Sequence, residues 1–125
     1  MFAVVYGQQN YEEINSLGLI KALELGERGV SYYDPKSIKK EGNKGFIDIY
    51  VYYNPPYKMN VSKSIQKYSF DCNTGDWRIE KMKDFKTDGN VMELPDWFLK
   101  QAPTQKNCAG CESDRYFSLA CGKKT

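Results

Sequence analysis

Four cysteines constrain this chain more than any other feature. Cys72 closes the aromatic, alternating run Tyr68-Ser69-Phe70-Asp71-Cys72 and is followed closely by Trp77-Arg78. Cys121 closes a second such run, Tyr116-Phe117-Ser118-Leu119-Ala120-Cys121. Two strand-like segments that each end in a cysteine are well placed to be bridged. A bridge puts the chain in an oxidising compartment, and the compartment limits the functions open to it.

Four cysteines allow three connectivities. The preferred set is Cys72–Cys121 with Cys108–Cys111. The first closes about 50 residues and stabilises by roughly 4 kcal/mol at most in chain-entropy terms; the second closes a short loop and contributes under about 2 kcal/mol. Other readings stay open. Cys108-Ala109-Gly110-Cys111 has redox spacing, but a redox CxxC should open a helix, whose dipole lowers a thiol pKa. Here the motif reads as loop. A zinc ribbon shows two close CxxC pairs, whereas Cys72 and Cys121 are isolated. Reduced cytosolic thiols are the remaining alternative.

With 125 residues the chain can bury one core. Basic and acidic residues nearly balance, 18 against 16, without the concentrated basic stripe of a nucleic-acid binder. Lys58, Lys63 and Lys67 are interleaved with apolar residues and read as solvated strand positions. No apolar run reaches the roughly 20 residues that span a bilayer. There is no histidine, which removes the usual catalytic triads and imidazole metal ligands. No cofactor and no metal site are expected. Ten tyrosines suit sheet surfaces and binding faces.

Residues 1–18 read as a lead-in to a domain spanning 19–125. Met1 to Gln9 starts apolar and turns polar; it reads either as the remnant of a secretory signal or as a first strand. Tyr11-Glu12-Glu13-Ile14 suits a short helix after Asn10, ended by Leu17 and Gly18. Leu19 to Leu25, Gly26-Glu27-Arg28-Gly29 and Val30-Ser31-Tyr32-Tyr33 read as strand, tight turn and strand, with a helix over 19–25 as the rival. Asp34-Pro35-Lys36-Ser37-Ile38 is a turn in which Asp accepts from the backbone ahead and Pro presets φ. Ser37 to Lys40 reads as turn-like, and Glu41 to Gly45 as a second turn.

The clearest strand is Phe46 to Tyr53. Its two-residue period places Ile47, Ile49, Val51 and Tyr53 on a core face, with Phe46, Asp48, Tyr50 and Tyr52 opposite. Asn54-Pro55-Pro56-Tyr57 should stop it. Val61 to Cys72 returns, with Ser64, Gln66, Tyr68, Phe70 and Cys72 on one side. After the turn at Asn73 to Asp76, Trp77 to Phe85 forms a strand anchored by Trp77, Ile79 and Phe85. Residues 95–105 suggest a helix, Asn107 to Asp114 a loop, and Arg115 to Cys121 a closing strand. The fold class is α+β: mainly antiparallel sheet of five to six strands, with one or two short helices.

Candidate chemistry is sparse. Glu80 and Asp84 share one strand face, with no second group to polarise a substrate. Asp71 to Asp76 has calcium-loop composition but lacks the closing Glu, so it reads as a turn. The best site candidate is an aromatic patch of Phe46, Tyr50, Tyr52 and Tyr57, a pattern that marks protein or glycan contacts. Its competing role is a second packed face under a helix.

From about Val30 to Cys121 the chain resembles the bacterial surface-adhesin protein E-like domain. The resemblance is carried by Tyr32-Tyr33-Asp34-Pro35-Lys36-Ser37-Ile38, Gly42-Asn43, strand 46–53, Tyr68-Ser69-Phe70-Asp71-Cys72 with Trp77-Arg78, and the aromatic segment ending in Cys121. It implies an antiparallel sheet with a small helical element in an exported, non-enzymatic protein of the periplasm or cell surface. Relatives bind host matrix and serum proteins and can dimerise. Cys72 and Cys121 look like the family's cysteine pair; Cys108 and Cys111 are additions. The expected function is binding a protein or glycan partner through the tyrosine-rich face, with a homodimer through sheet edges as a further expectation. The alternative is a small inhibitor or immunity protein that blocks a toxin or enzyme.

Overall fold

The computed structural model describes residues 2–57 and 60–122, with side chains described for 10–53 and 60–122. The chain opens with helix α1 (Phe2–Leu17). Strands β1 (Ile20–Glu24) and β2 (Gly29–Tyr33) follow as a hairpin, then β3 (Lys39–Glu41), β4 (Lys44–Tyr57), β5 (Val61–Asp71), β6 (Trp77–Lys86) and β7 (Val91–Glu93). Two helices, α2 (Asp96–Gln101) and α3 (Glu112–Cys121), end the order. Among the described residues the strands form one antiparallel sheet in the order β1-β2-β4-β5-β6-β7, with β3 also paired to β4.

Helix α1 takes in the N-terminal segment that reads as a strand or signal remnant. Its end is a glycine cap. Gly18 adopts φ 67°; its N–H donates to the Asn15 carbonyl (3.1 Å), and the Leu19 N–H donates to the Ile14 carbonyl (2.9 Å). These are the paired bonds of a Schellman motif, and Leu19 buries itself behind them.

β2 and β3 lie end to end along β4. The turn between them is the Asp34-Pro35-Lys36-Ser37 motif. Asp34 Oδ1 accepts from the Lys36 N–H (2.9 Å). Ser37 donates its hydroxyl to the Asp34 carbonyl (2.6 Å) and accepts from the Asp48 N–H (2.8 Å). A side chain thus keeps β4 satisfied where the edge strand steps away. The stretch read as turn-like at Lys39-Lys40 is the start of β3, because the chain rejoins β4 with Lys39 opposite Phe46.

The sheet has two faces. Ile47, Ile49 and Val51 of β4 stand beside Ser64, Gln66, Tyr68, Phe70 and Cys72 on the inner face, as the alternation predicts. Helix α3 covers it. Tyr116, Ala120 and Cys121 are buried in this core, with Phe117 and Leu119 packed against it. The predicted closing strand over Arg115–Cys121 is therefore a helix. Buried Ser113, Tyr116 and Ala120 recur at helical spacing, Glu112 and Asp114 occupy the first turn, and Gly122 caps the end in the left-handed region. Aromatic alternation in that segment reflects two helical flanks, not two sheet faces.

Two further expectations change. β4 does not stop at Asn54-Pro55 but runs to Tyr57, with its pairing to β5 irregular between Tyr52 and Tyr57; prolines are tolerated at such an irregularity. Glu80 and Asp84 do not share a face. Lys67 pairs with Lys81 and Tyr68 with Ile79, so Glu80 is an extra residue on the bulged strand. Glu80 accepts from Ser69 (2.6 Å) on the outer side, whereas Asp84 lies opposite inward-facing Ser64. The late helix is also shorter than 95–105, spanning Asp96–Gln101 after Pro95.

Candidate functional site

The inner face is closed core. Tyr116 donates to Ser31 Oγ (2.8 Å), Tyr68 donates to Gln66 Oε1 (3.0 Å), and Gln66 Nε2 donates to Ser64 Oγ (3.1 Å). Every member of this polar seam is buried. Burial holds the Tyr68 and Tyr116 hydroxyls well above the ordinary phenol pKa. They are neutral donors inside the core, out of reach of a substrate.

The sulfurs of Cys72 and Cys121 lie 2.06 Å apart with their Cα atoms 5.6 Å apart, which is disulfide geometry. Both residues are buried, so the pair ties the end of α3 to the residue after β5. Cys108 and Cys111 are paired as well, with Cα atoms 5.4 Å apart. Both are exposed, and Cys111 is the N-cap of α3.

The outer face carries the aromatic candidates, and the structure divides them. Tyr52 is buried under α1: it donates to Glu13 Oε2 (2.8 Å) and meets Tyr32 edge-on at 5.7 Å. Burial, then the bond to Glu13, pushes its pKa far up. Glu13 Oε1 also pairs with Lys63 (2.7 Å), which locks the helix to β4 and β5. Beside this contact a shallow groove of about 340 Å³ runs between Tyr11, Ile14, Gly29, Val30, Tyr32 and Tyr52. Phe46 and Tyr50 are half-buried beyond the helix. The side chain of Tyr57 lies outside the described residues.

Around Phe46 and Tyr50 the face is cationic and apolar. Tyr50 is paired across to Ile65, and Asp48 to Lys67, which forms an ion pair with it (2.9 Å). Lys67 in turn faces Lys81 directly across β5 and β6; like charges so placed cost stability. Lys83 lies 5.8 Å from the Phe85 ring. Among the described residues no carboxylate pairs with Arg78, Lys81 or Lys83. Sequence reading took Lys63 and Lys67 as solvated strand positions and did not single out Lys81 or Lys83, because their gathering depends on cross-strand register.

A second exposed feature escaped the sequence reading. Trp97 and Phe98 on α2 are 64% and 51% exposed and pack edge-to-face at 6.0 Å, while the neighbouring Leu99 is buried. Adjacent helical positions diverge by about 100°, so a six-residue helix with one buried contact leaves the pair in solvent. The signal was present in the consecutive Trp97-Phe98-Leu99.

The Asp71 turn has a local explanation. Asp71 Oδ1 accepts from the N–H groups of Asn73 (2.8 Å) and Thr74 (3.1 Å), and those bonds, Thr74 first, lower its pKa. No group of metal-ligating side chains is gathered among the described residues.

The surface-adhesin protein E family model matches residues 21–121. The chain belongs to that family. The match begins in β1 and ends at Cys121, so it takes in the sheet from Lys21 onward and α3 and leaves α1 outside. Neither a curated protein nor a solved structure matches the chain. Family membership makes this a surface-adhesin-like protein, and no described helix is long and apolar enough to cross a membrane.

Proposed function

We propose that this chain is an exported, non-catalytic binding protein whose outer sheet face docks an acidic protein surface. Family membership supports the adhesin-like class. The observation that carries the site is the face itself. Lys81 and Lys83 stand exposed and in no ion pair among the described residues, on the face that also carries half-buried Phe46, Tyr50, Ile65 and Phe85, with Ile65 directly across from Lys83. Glu93 of β7 stands across from Lys83, yet neither lysine is ion-paired among the described residues, and cations left so complement acidic groups. The interleaved apolar rings favour a protein over a sulfated glycan, because a protein also offers apolar side chains to bury.

Lys67–Asp48 and Lys63–Glu13 rigidify the face, and α1 marks its limit at Tyr52. The edge at β7 is the place for a second copy to pair, since the β1 edge is partly occupied: Arg115 Nε donates to the Ala22 carbonyl (3.3 Å).

The test compares binding of the wild type and Lys81→Glu/Lys83→Glu to immobilised matrix and serum proteins, with heparin as the glycan control. The expected result is at least a tenfold loss of protein binding in the variant and weakening with salt in the wild type. Equal binding by both proteins refutes the site. Preference for heparin assigns the face to glycans.

A further inference from the structure

The Cys108–Cys111 pair occupies a setting that a structural crosslink does not need. We propose that it is a thiol–disulfide exchange site, open to an external dithiol, and distinct from the buried Cys72–Cys121 pair.

Three observations meet here. First, both residues are exposed, whereas Cys72 and Cys121 are 4% and 3% exposed. Exchange requires a thiolate to reach a sulfur, so only the outer pair is accessible. Second, the loop is held without the sulfurs. Asn107 Nδ2 donates to Asp114 Oδ1 (2.9 Å), and Ser113 donates to Asn107 Oδ1 (2.9 Å). The backbones of Trp77 and Gln105 exchange two hydrogen bonds, at 2.8 and 2.7 Å. Asn107 also rests on Gly75, so closely that a Cβ there would meet it at 3.1 Å. The disulfide closes only four residues, and such a short loop gains little from closure. It can open with the fold intact.

Third, Cys111 is the N-cap of the ten-residue helix α3. A thiolate at a helix start is stabilised by the aligned peptide dipoles and the free N–H groups. The nearby carboxylates are engaged elsewhere: Glu112 faces Arg28 at 3.4 Å, and Asp114 accepts from Asn107.

These facts give the step a direction. A thiolate of the external dithiol attacks Cys108 Sγ. The Cys108–Cys111 bond breaks, and its electron pair leaves on Cys111 Sγ at the helix start. The second thiol of the partner, deprotonated, attacks the mixed disulfide and releases Cys108. The partner is oxidised to its disulfide, and this pair is reduced by two electrons and two protons. In reverse, the reduced pair opens a partner's disulfide.

The test equilibrates the full chain in glutathione redox buffers, traps thiols with an alkylating mass tag and maps the peptides. Cys108 and Cys111 should be fully reduced in buffers that leave Cys72–Cys121 closed, with at least a hundredfold separation in the equilibrium constants. Far-UV circular dichroism and tryptophan fluorescence should not change across the first transition. Opening of both pairs together, or loss of structure when the outer pair opens, overturns the proposal. Single variants check the direction. The remaining Cys111 thiol in Cys108→Ser should alkylate at least threefold faster at neutral pH than the remaining Cys108 thiol in Cys111→Ser. Equal or inverted rates overturn the assignment of the leaving thiolate.

Discussion

Replacing Cys72 and Cys121 together by alanine tests how α3 is held. The sequence separation is 49, and closing a loop of that size removes about 4 kcal/mol of denatured-state entropy. Unfolding entropy is roughly 2.1 cal/mol/K per residue, or roughly 260 cal/mol/K for 125 residues. The double variant should therefore melt about 15 °C below the wild type in non-reducing buffer, followed by circular dichroism. Cys108→Ala/Cys111→Ala supplies the internal comparison. Its four-residue loop sets a ceiling of about 2 kcal/mol, or about 7 °C. The shift should fall well below that ceiling, because Asn107, Ser113 and Gln105 fix the same loop. A loss under about 5 °C for the Cys72/Cys121 variant, or a larger loss for the outer pair, would refute this reasoning.

Other perturbations probe the same packing. Gly45→Val should destabilise by more than about 2 kcal/mol in urea unfolding, because a Cβ at Gly45 would stand 2.7 Å from the Ala120 carbonyl oxygen and 3.0 Å from Cys121 Sγ. Tyr116→Phe should cost about 1 to 1.5 kcal/mol by the same assay, since it removes the 2.8 Å bond to buried Ser31. Stability should fall with rising pH above about 10. Tyr52, Tyr68 and Tyr116 have folded pKa values raised by burial, so the unfolded chain loses those protons first, and each contributes a slope of up to about 1.4 kcal/mol per pH unit. Urea midpoints across this alkaline range measure it, and a flat profile would contradict the burial.

What the sequence made legible follows from period and turn chemistry. The Ile47, Ile49, Val51 alternation identified both the strand and its buried side, since side chains on a strand must alternate. The Asp34-Pro35-Lys36-Ser37 turn was readable because its bonds are local. Features set by distant partners were not readable. The Glu80 bulge depends on which residue of β5 stands opposite, and it moved Asp84 to the other face. Helix α3 was hidden because Tyr116 and Phe117 suit a strand by propensity, and packing on the sheet overrides that. The candidate face was half legible. Its aromatic residues fell out of the alternation, but Glu13 reaching Tyr52 and Lys63 from 39 and 50 residues away did not.

The two faces of the sheet differ in how their polar side chains are partnered. The inner face pairs its buried hydroxyls and amide through Tyr116–Ser31 and Tyr68–Gln66–Ser64, and α3 covers it, so substitutions there change folding. The outer face leaves Lys81 and Lys83 without carboxylate partners among the described residues. Facing lysines at Lys67 and Lys81 repel across the strands, and one compensating Asp48 serves only the first of them. Lys81→Glu would relieve that repulsion by placing a carboxylate opposite Lys67. The single variant should therefore be slightly more stable than the wild type, by up to about 1 kcal/mol, while binding its acidic partner more weakly. Opposite signs for stability and affinity at one residue separate a functional cation from a structural one. A loss of both would make Lys81 part of the fold.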